Sequence, residues 1–354
     1  MTDENPLTDE DRQAILEKET ERHVSNADQY VPGPPPSLSA GNAYGSWVLD
    51  IRGEKFLDFG PGGCVSFLGH NHQPVVQTVT EQAQHFLYAG PGFTDNITSE
   101  YALLLSNLVT VRGENPQTLV CSGIEEAKAI VAKIGTHPLS GQGPVTLSPV
   151  SPTGVLMDGG LFQDAAHRAR AQDKVIVSDE TVAGFGRTGK FLAYEYLNYV
   201  PDIVLLGPSG GGGMPFAAVV APKDLWDRVY FTPGLMHMHP VVCAAAREAL
   251  EGITPALMEN AVESGKYIQM KVGELSAQFP AYIRGCDGVG LLQQLYISDR
   301  SKAERFRRDC WNKGLILGEN LVMTPPLTIT AVEIDMGIDI LAEVLMEWEE
   351  EEMR

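Results

Sequence analysis

The chain has 354 residues, 44% hydrophobic and 8% aromatic, enough for a large core and more than one compact unit usually holds. Lys and Arg number 26 against 46 Asp and Glu, a formal net charge of −20, so the chain would repel a phosphate backbone and shows no basic stripe to reverse that; nucleic acid is not expected as a partner. Five dispersed cysteines without CxxC spacing, a polar N-terminus with no signal-peptide apolar region, and no apolar run of membrane-spanning length point to a cytoplasmic protein acting on small molecules, away from any membrane.

Residues 1–45 read as an N-terminal arm, polar at first and then extended through Pro32, Pro34, Pro35 and Pro36. From Ser46 to Phe59 the pattern predicts a hairpin: Trp47, Leu49 and Ile51 alternate, Arg52-Gly53 turns, and Phe56-Leu57-Asp58-Phe59 returns. Gly60 to Gly69 reads as a glycine-rich loop. Val75, Val79, Ala83 and Phe86 recur at helical spacing, and Tyr101–Leu108 predicts a second helix. Gly160–Gln172 predicts a helix leading into the apolar run Val175-Ile176-Val177, which ends at Asp179. Ile203–Leu206 is a similar run ending at Gly207. Short continuous apolar runs alternating with helices indicate buried parallel strands and an α/β sheet. Thr330 with Glu333 makes a capping box, followed by the apolar stripe Ile334, Ile338, Leu341, Leu345 and Trp348, and Glu349–Glu352 reads as a solvated acidic end. The expected division is a large α/β domain over 46–240, with 46–60 as its entry hairpin, and a small C-terminal α+β domain over 241–354.

The segment from Asp179 to Lys190, D-E-T-V-A-G-F-G-R-T-G-K, resembles the D-E-V-Q-T-G-F-G-R-T-G-K signature of class III aminotransferases. Pro201-Asp202-Ile203-Val204 with Gly211-Gly212-Gly213-Met214-Pro215, the hairpin Trp47–Phe59, Gly69-His70-Asn71-His72 and Pro325–Thr330 are similar to further segments of that family, in order and spacing from about residue 22 onward. The resemblance implies fold type I, a homodimer with active sites at its interface, and pyridoxal phosphate held by a lysine. A carboxylate would face the pyridine nitrogen, and hydroxyl and backbone N–H groups would hold the phosphate.

Asp179 matches the ring-nitrogen aspartate. The lysine position falls 29 residues later, on Pro208, which has neither nucleophile nor N–H. The phosphate turn reads Ser122-Gly123-Ile124-Glu125-Glu126 and lacks its second hydroxyl. Val182 replaces a glutamine, Leu235 a phosphate-binding threonine, and the stretch between Ala132 and Ser148 is too short for the aromatic that stacks on the ring, which implies a shortened central sheet.

The expectation drawn from these departures is an enzyme that has lost pyridoxal phosphate, with a degenerate cofactor site at Ser122, Gly123, Val182, Pro208 and Leu235. It would perform acid–base chemistry (cyclisation, elimination, isomerisation or condensation) on a small carbonyl, imine or amino metabolite. Asp179, His237, His239 and Cys64 are its candidate catalytic residues. The alternatives are a non-catalytic partner of another biosynthetic protein, and a pyridoxal-phosphate transaminase whose cofactor is held non-covalently. Gly184–Lys190 fits the G-x-x-x-x-G-K of a P-loop, but Phe191 follows where a hydroxyl is needed. Gly210–Gly213 reads as a flexible loop that could admit a ligand. The pairs His70/His72 and His237/His239 lack a third ligand, so no metal is expected.

Overall fold

The structure, a computed structural model, describes residues 40–88, 90, 93, 95–137, 141–228 and 238–353. His237, Leu235 and most of the expected N-terminal arm lie outside the described residues. In chain order the elements are β1 (Ala40–Tyr44), β2 (Trp47–Asp50), β3 (Lys55–Asp58), α1 (Gln73–His85), α2 (Asn96–Leu108), β4 (Pro116–Cys121), α3 (Ile124–Gly135), β5 (Val145–Leu147), α4 (Gly159–Arg170), β6 (Ile176–Glu180), β7 (Ile203–Leu206), β8 (Ala217–Pro222), α5 (Pro240–Glu251), α6 (Pro255–Gln278), β9 (Ile283–Val289), β10 (Leu292–Ile297), α7 (Ala303–Asn312), β11 (Leu315–Ile316), β12 (Val322–Met323) and α8 (Ala331–Glu352).

The entry hairpin forms as expected, with Trp47 opposite Leu57, but it begins earlier: Ala40–Tyr44 adds a strand antiparallel to β2. The glycine-rich stretch is not all loop. Pro61 occupies the first turn of a short helix over Pro61–Val65, where its missing N–H costs nothing. Helix α2 starts five residues before the expected Tyr101, because the Asp95 side chain accepts from the Thr98 N–H at 2.9 Å.

The central sheet has five strands in the order β4-β8-β7-β6-β5. Strand β8 runs antiparallel to both β4 and β7, and β7 is parallel to β6, so the carboxyl ends of β4, β6 and β7 share one edge. Residues 203–206 are buried throughout, which is why they read as an unbroken apolar run. One face packs on Ile130 and Ile134 of α3, the other on Tyr101 and Leu105 of α2.

A second layer is built on the sheet β12-β10-β9, against which α6 and α8 pack. The capping box forms: Thr330 accepts from the Glu333 N–H while Glu333 accepts from Thr330. Trp348 is buried edge-on against Tyr282 and Phe306 and donates to Asp309 at 2.8 Å. The acidic tail is more than a solvated end: Glu352 accepts from the Tyr282 hydroxyl at 2.8 Å and from Lys302 at 3.1 Å, and Glu351 pairs with Arg305.

Arg187 of the P-loop-like segment joins the layers. It is 1% exposed and donates to the carbonyls of Leu291 and Pro325. That segment is therefore a packing turn with its cation turned inward. The glycine run after β7 is likewise packed: a Cβ at Gly210 would lie 2.4 Å from the Phe185 ring and one at Gly211 2.6 Å from Phe216, so small residues are needed there for the rings to fit.

Candidate active site

Asp179 and Glu180 alternate at the carboxyl end of β6 and face opposite ways. Asp179 is half-buried. Its Oδ1 accepts the Thr181 hydroxyl at 2.6 Å and the Thr181 N–H at 3.0 Å, which fixes the carboxylate and leaves Oδ2 without a hydrogen bond among the described residues. Glu180 is 1% exposed and accepts from the N–H groups of Ala193 and Tyr194, both at 2.8 Å, and from the Ser178 hydroxyl at 3.2 Å. Burial pushes its carboxyl up to about 7 against those three donors. Val182 turns into a small apolar cluster with Val150, Ala183 and Leu292.

Pro208, half-buried, opens the turn after β7. The preceding Gly207 lies so close to the turn after β6 that a Cβ there would sit 2.1 Å from the Thr181 carbonyl oxygen. The turn that fixes Asp179 and the turn that carries Pro208 therefore brace one another.

Ser122 follows the last residue of β4 and Gly123 caps α3. The Ser122 N–H and hydroxyl, one N–H of a type that a helix start leaves free for an anion, both donate to Oε2 of Glu126, at 2.8 and 2.9 Å. A carboxylate of the chain itself thus occupies this cradle. His239 caps α5, stacks on Tyr88 at a centroid distance of 5.2 Å and 19° between planes, and keeps a buried Nδ1 with no partner. Burial lowers its pKa, with Asp95 opposing, which favours the neutral imidazole. His239, Ser122, Cys121, Met214 and Pro215 line one cavity of 180 Å³.

Ser122 and His239 are thus brought together. Asp179 shares their sheet edge three strand positions away, about 14 Å at the usual interstrand spacing. Cys64 belongs to a different neighbourhood, with Asp58 and Arg187. Asp58 is 3% exposed, accepts from the Gly60 N–H at 2.7 Å and lies 2.9 Å from His70 Nε2. Burial pushes the Cys64 thiol up, with Arg187 opposing and Asp58 adding, so Cys64 stays protonated and does not have the make-up of a nucleophile.

Glu126 and Glu180 were not among the candidates drawn from the sequence. A glutamate four residues after a serine that precedes a helix was the available signal for the first. For the second there was only its place beside Asp179, since burial of one face of a strand end is a tertiary fact.

The arrangement has the build of a fold type I aminotransferase scaffold. Acetylornithine aminotransferase from Elizabethkingia anophelis matches with a TM-score of 0.82 over 94% of this chain and 99% of that one, at 21% identity. Ornithine delta-aminotransferase from Plasmodium falciparum matches at 0.83 over 95% and 99%, also at 21% identity. Among curated relatives, the acetylornithine aminotransferase of Gloeobacter violaceus is 24% identical over 85% of this chain and 91% of its own length. The ornithine aminotransferase of Brevibacillus brevis is 25% identical over 94% and 98%. The class-III aminotransferase family model matches residues 151–345, more than half of the chain, and the chain belongs to that family.

These relatives are enzymes, and they overturn the expectation of a cofactor-free acid–base enzyme. They match along most of the chain and are aminotransferases by name, and in this family amino-group transfer runs on pyridoxal phosphate. That expectation weighed single-residue departures, Pro208 foremost, above the match along most of the chain. The structure holds a fixed carboxylate with a free oxygen, a serine at a helix start and an unpartnered imidazole in a small cavity, and the chemistry of these groups fits the ring nitrogen and phosphate of that cofactor. Among the described residues no helix is long and apolar enough to cross a membrane.

Proposed function

We propose that the chain is a transaminase that holds pyridoxal phosphate without a covalent link and takes its amino donor from the ornithine class, as the names of its relatives suggest. The observation that carries this is Asp179: Thr181 holds Oδ1 with two hydrogen bonds, so Oδ2 is oriented and unengaged at the carboxyl end of the sheet. When bound, the cofactor supplies an electron sink that stabilises a carbanion next to the transferred nitrogen. Asp179 Oδ2 would accept the ring N–H and keep that proton in place. The Ser122 N–H and hydroxyl, which now donate to Glu126, would hold the phosphate with Glu126 displaced, and His239 lines the same cavity. With proline at 208, the lysine's proton-transfer role falls to another base, for which neutral His239 is the nearest candidate in chemistry.

A homodimer with interface active sites belongs to this reading. Leu87, Phe93, Leu103 and Leu108 are 59%, 70%, 63% and 49% exposed around α1 and α2, an apolar surface suited to a second copy. The test is turnover of ornithine with a 2-oxo acid as amino acceptor, with and without added pyridoxal phosphate, in wild type and Asp179→Asn. Cofactor-dependent product that the substitution abolishes is expected; product independent of the cofactor, or none at saturating cofactor, would overturn the reading.

A further inference from the structure

The opposite edge of the central sheet carries a feature that the transaminase site does not use. A cleft of 580 Å³ opens where β4, β6 and β7 begin and β8 ends. It is lined by Arg112, Arg170, Lys174 and Arg228, with Asp173, Asp202 and Asp224 among them. In a chain of net charge −20, four cations against three carboxylates give this cleft a local excess of positive charge.

These cations are poorly matched within the chain. The side chains of Arg112 and Lys174 make no hydrogen bond or ion pair among the described residues. Arg228 reaches Asp224 only at 3.5 Å. Arg170 lies 4.9 Å from the Tyr199 ring centroid, 3.7 Å from Asp202 Oδ1, and donates to the Val200 carbonyl at 3.4 Å. Asp202 is largely spoken for, since its Oδ2 accepts the Ile176 N–H at 2.8 Å. Two buried polar atoms nearby have no partner, Arg170 Nε and the hydroxyl of Tyr199, whose ring lies under the Arg170 guanidinium outside the cleft wall. Buried donors are rarely left unmatched, and an arginine Nε can only donate. With Arg112 and Lys174 also unpaired, the cleft has more donors than acceptors to match them.

We propose that this cleft binds a small anion bearing two or more linked phosphates, at a site separate from the transaminase pocket. Arg112 and Lys174 meet the outer phosphate oxygens, while the Arg170 guanidinium at the cleft wall takes the inner ones. A forked guanidinium matches phosphate geometry with paired hydrogen bonds, which suits Arg112 and Arg170 to this role.

Calorimetric titration of the full chain with inorganic pyrophosphate, and separately with ATP and AMP, tests this. Saturable pyrophosphate binding that weakens as salt is raised is expected, and about tenfold or greater loss in Arg112→Gln/Lys174→Gln. Both changed side chains are unpaired, so the variant should melt with wild type; Arg228→Gln provides a second, smaller loss if it does not. ATP binding as tightly as pyrophosphate identifies the linked phosphates as the recognised part, and AMP should bind weakly. The proposal is overturned if neither pyrophosphate nor ATP binds, if the double variant binds like wild type, or if Ser122→Ala abolishes binding instead, which would assign the anion to the other edge of the sheet.

Discussion

The Glu126 carboxylate and Ser122 form a closed pair: one oxygen of Glu126 accepts both the N–H and the hydroxyl of Ser122, at 2.8 and 2.9 Å. Under the proposed function those donors would hold the cofactor phosphate, so binding would have to displace an internal anion first. Charge-assisted hydrogen bonds contribute about 1.5–3 kcal/mol each way. Glu126→Ala is therefore expected to tighten pyridoxal phosphate and inorganic phosphate binding by about tenfold, since about 1.4 kcal/mol is one decade. Equilibrium dialysis reads this directly; unchanged or weaker phosphate binding in the variant would mean that Glu126 does not guard the cradle.

Glu180 sets an expected pH dependence of stability. Its carboxyl is raised by burial from an ordinary 4.5 to about 7. The folded chain thus binds this proton more tightly than the unfolded chain, and the associated stability is complete below about pH 4.5 and lost as pH rises to about 7. The full effect is on the order of 3 kcal/mol. Urea unfolding at pH 5 and pH 8 should show wild type losing stability with rising pH, and Glu180→Gln losing less across the same interval. Equal slopes for the two would remove Glu180 as the cause.

Gly207 and Thr181 make a backbone contact that admits no side chain, because a Cβ would sit 2.1 Å from a carbonyl oxygen. Neither partner is a flexible group that can yield. Gly207→Ala should cost about 2–3 kcal/mol of unfolding free energy. It should also weaken cofactor binding, since the displaced turn is the one that holds Asp179. A variant with wild-type stability and wild-type binding would show that the two turns do not brace each other.

Pro208 sits at the strand end that the family resemblance gives to lysine. In Pro208→Lys with added pyridoxal phosphate, borohydride should trap a covalent adduct on residue 208, visible by peptide mapping. Absence of the adduct in a folded variant would mean that residue 208 does not face the cofactor.

Much of this was legible in the sequence. The continuous apolar runs at 175–177 and 203–206 became β6 and β7, and Thr330 with Glu333 formed its capping box, because each depends on residues close in the chain. Asp179 was legible for the same reason, as the polar residue ending an apolar run. The opening strand Ala40–Tyr44 was not, since it exists by pairing with β2 and carries no strong pattern of its own. The inward turn of Arg187 and the burial of Glu180 were also invisible, because both are set by segments far away in sequence. The error about the cofactor had another source: the departures at residues 182 and 208 were weighed as losses, while the contacts that survive them become evident only when Ser122, His239 and Asp179 are seen at one sheet edge.

The most direct measurement is equilibrium binding of pyridoxal phosphate to the wild-type chain, followed by borohydride treatment and intact-mass determination of the same sample. Saturable binding that Asp179→Asn weakens, with no change in protein mass, is the expected result. No binding at all, or a mass increase showing a covalent adduct, would contradict a transaminase that holds its cofactor without a lysine.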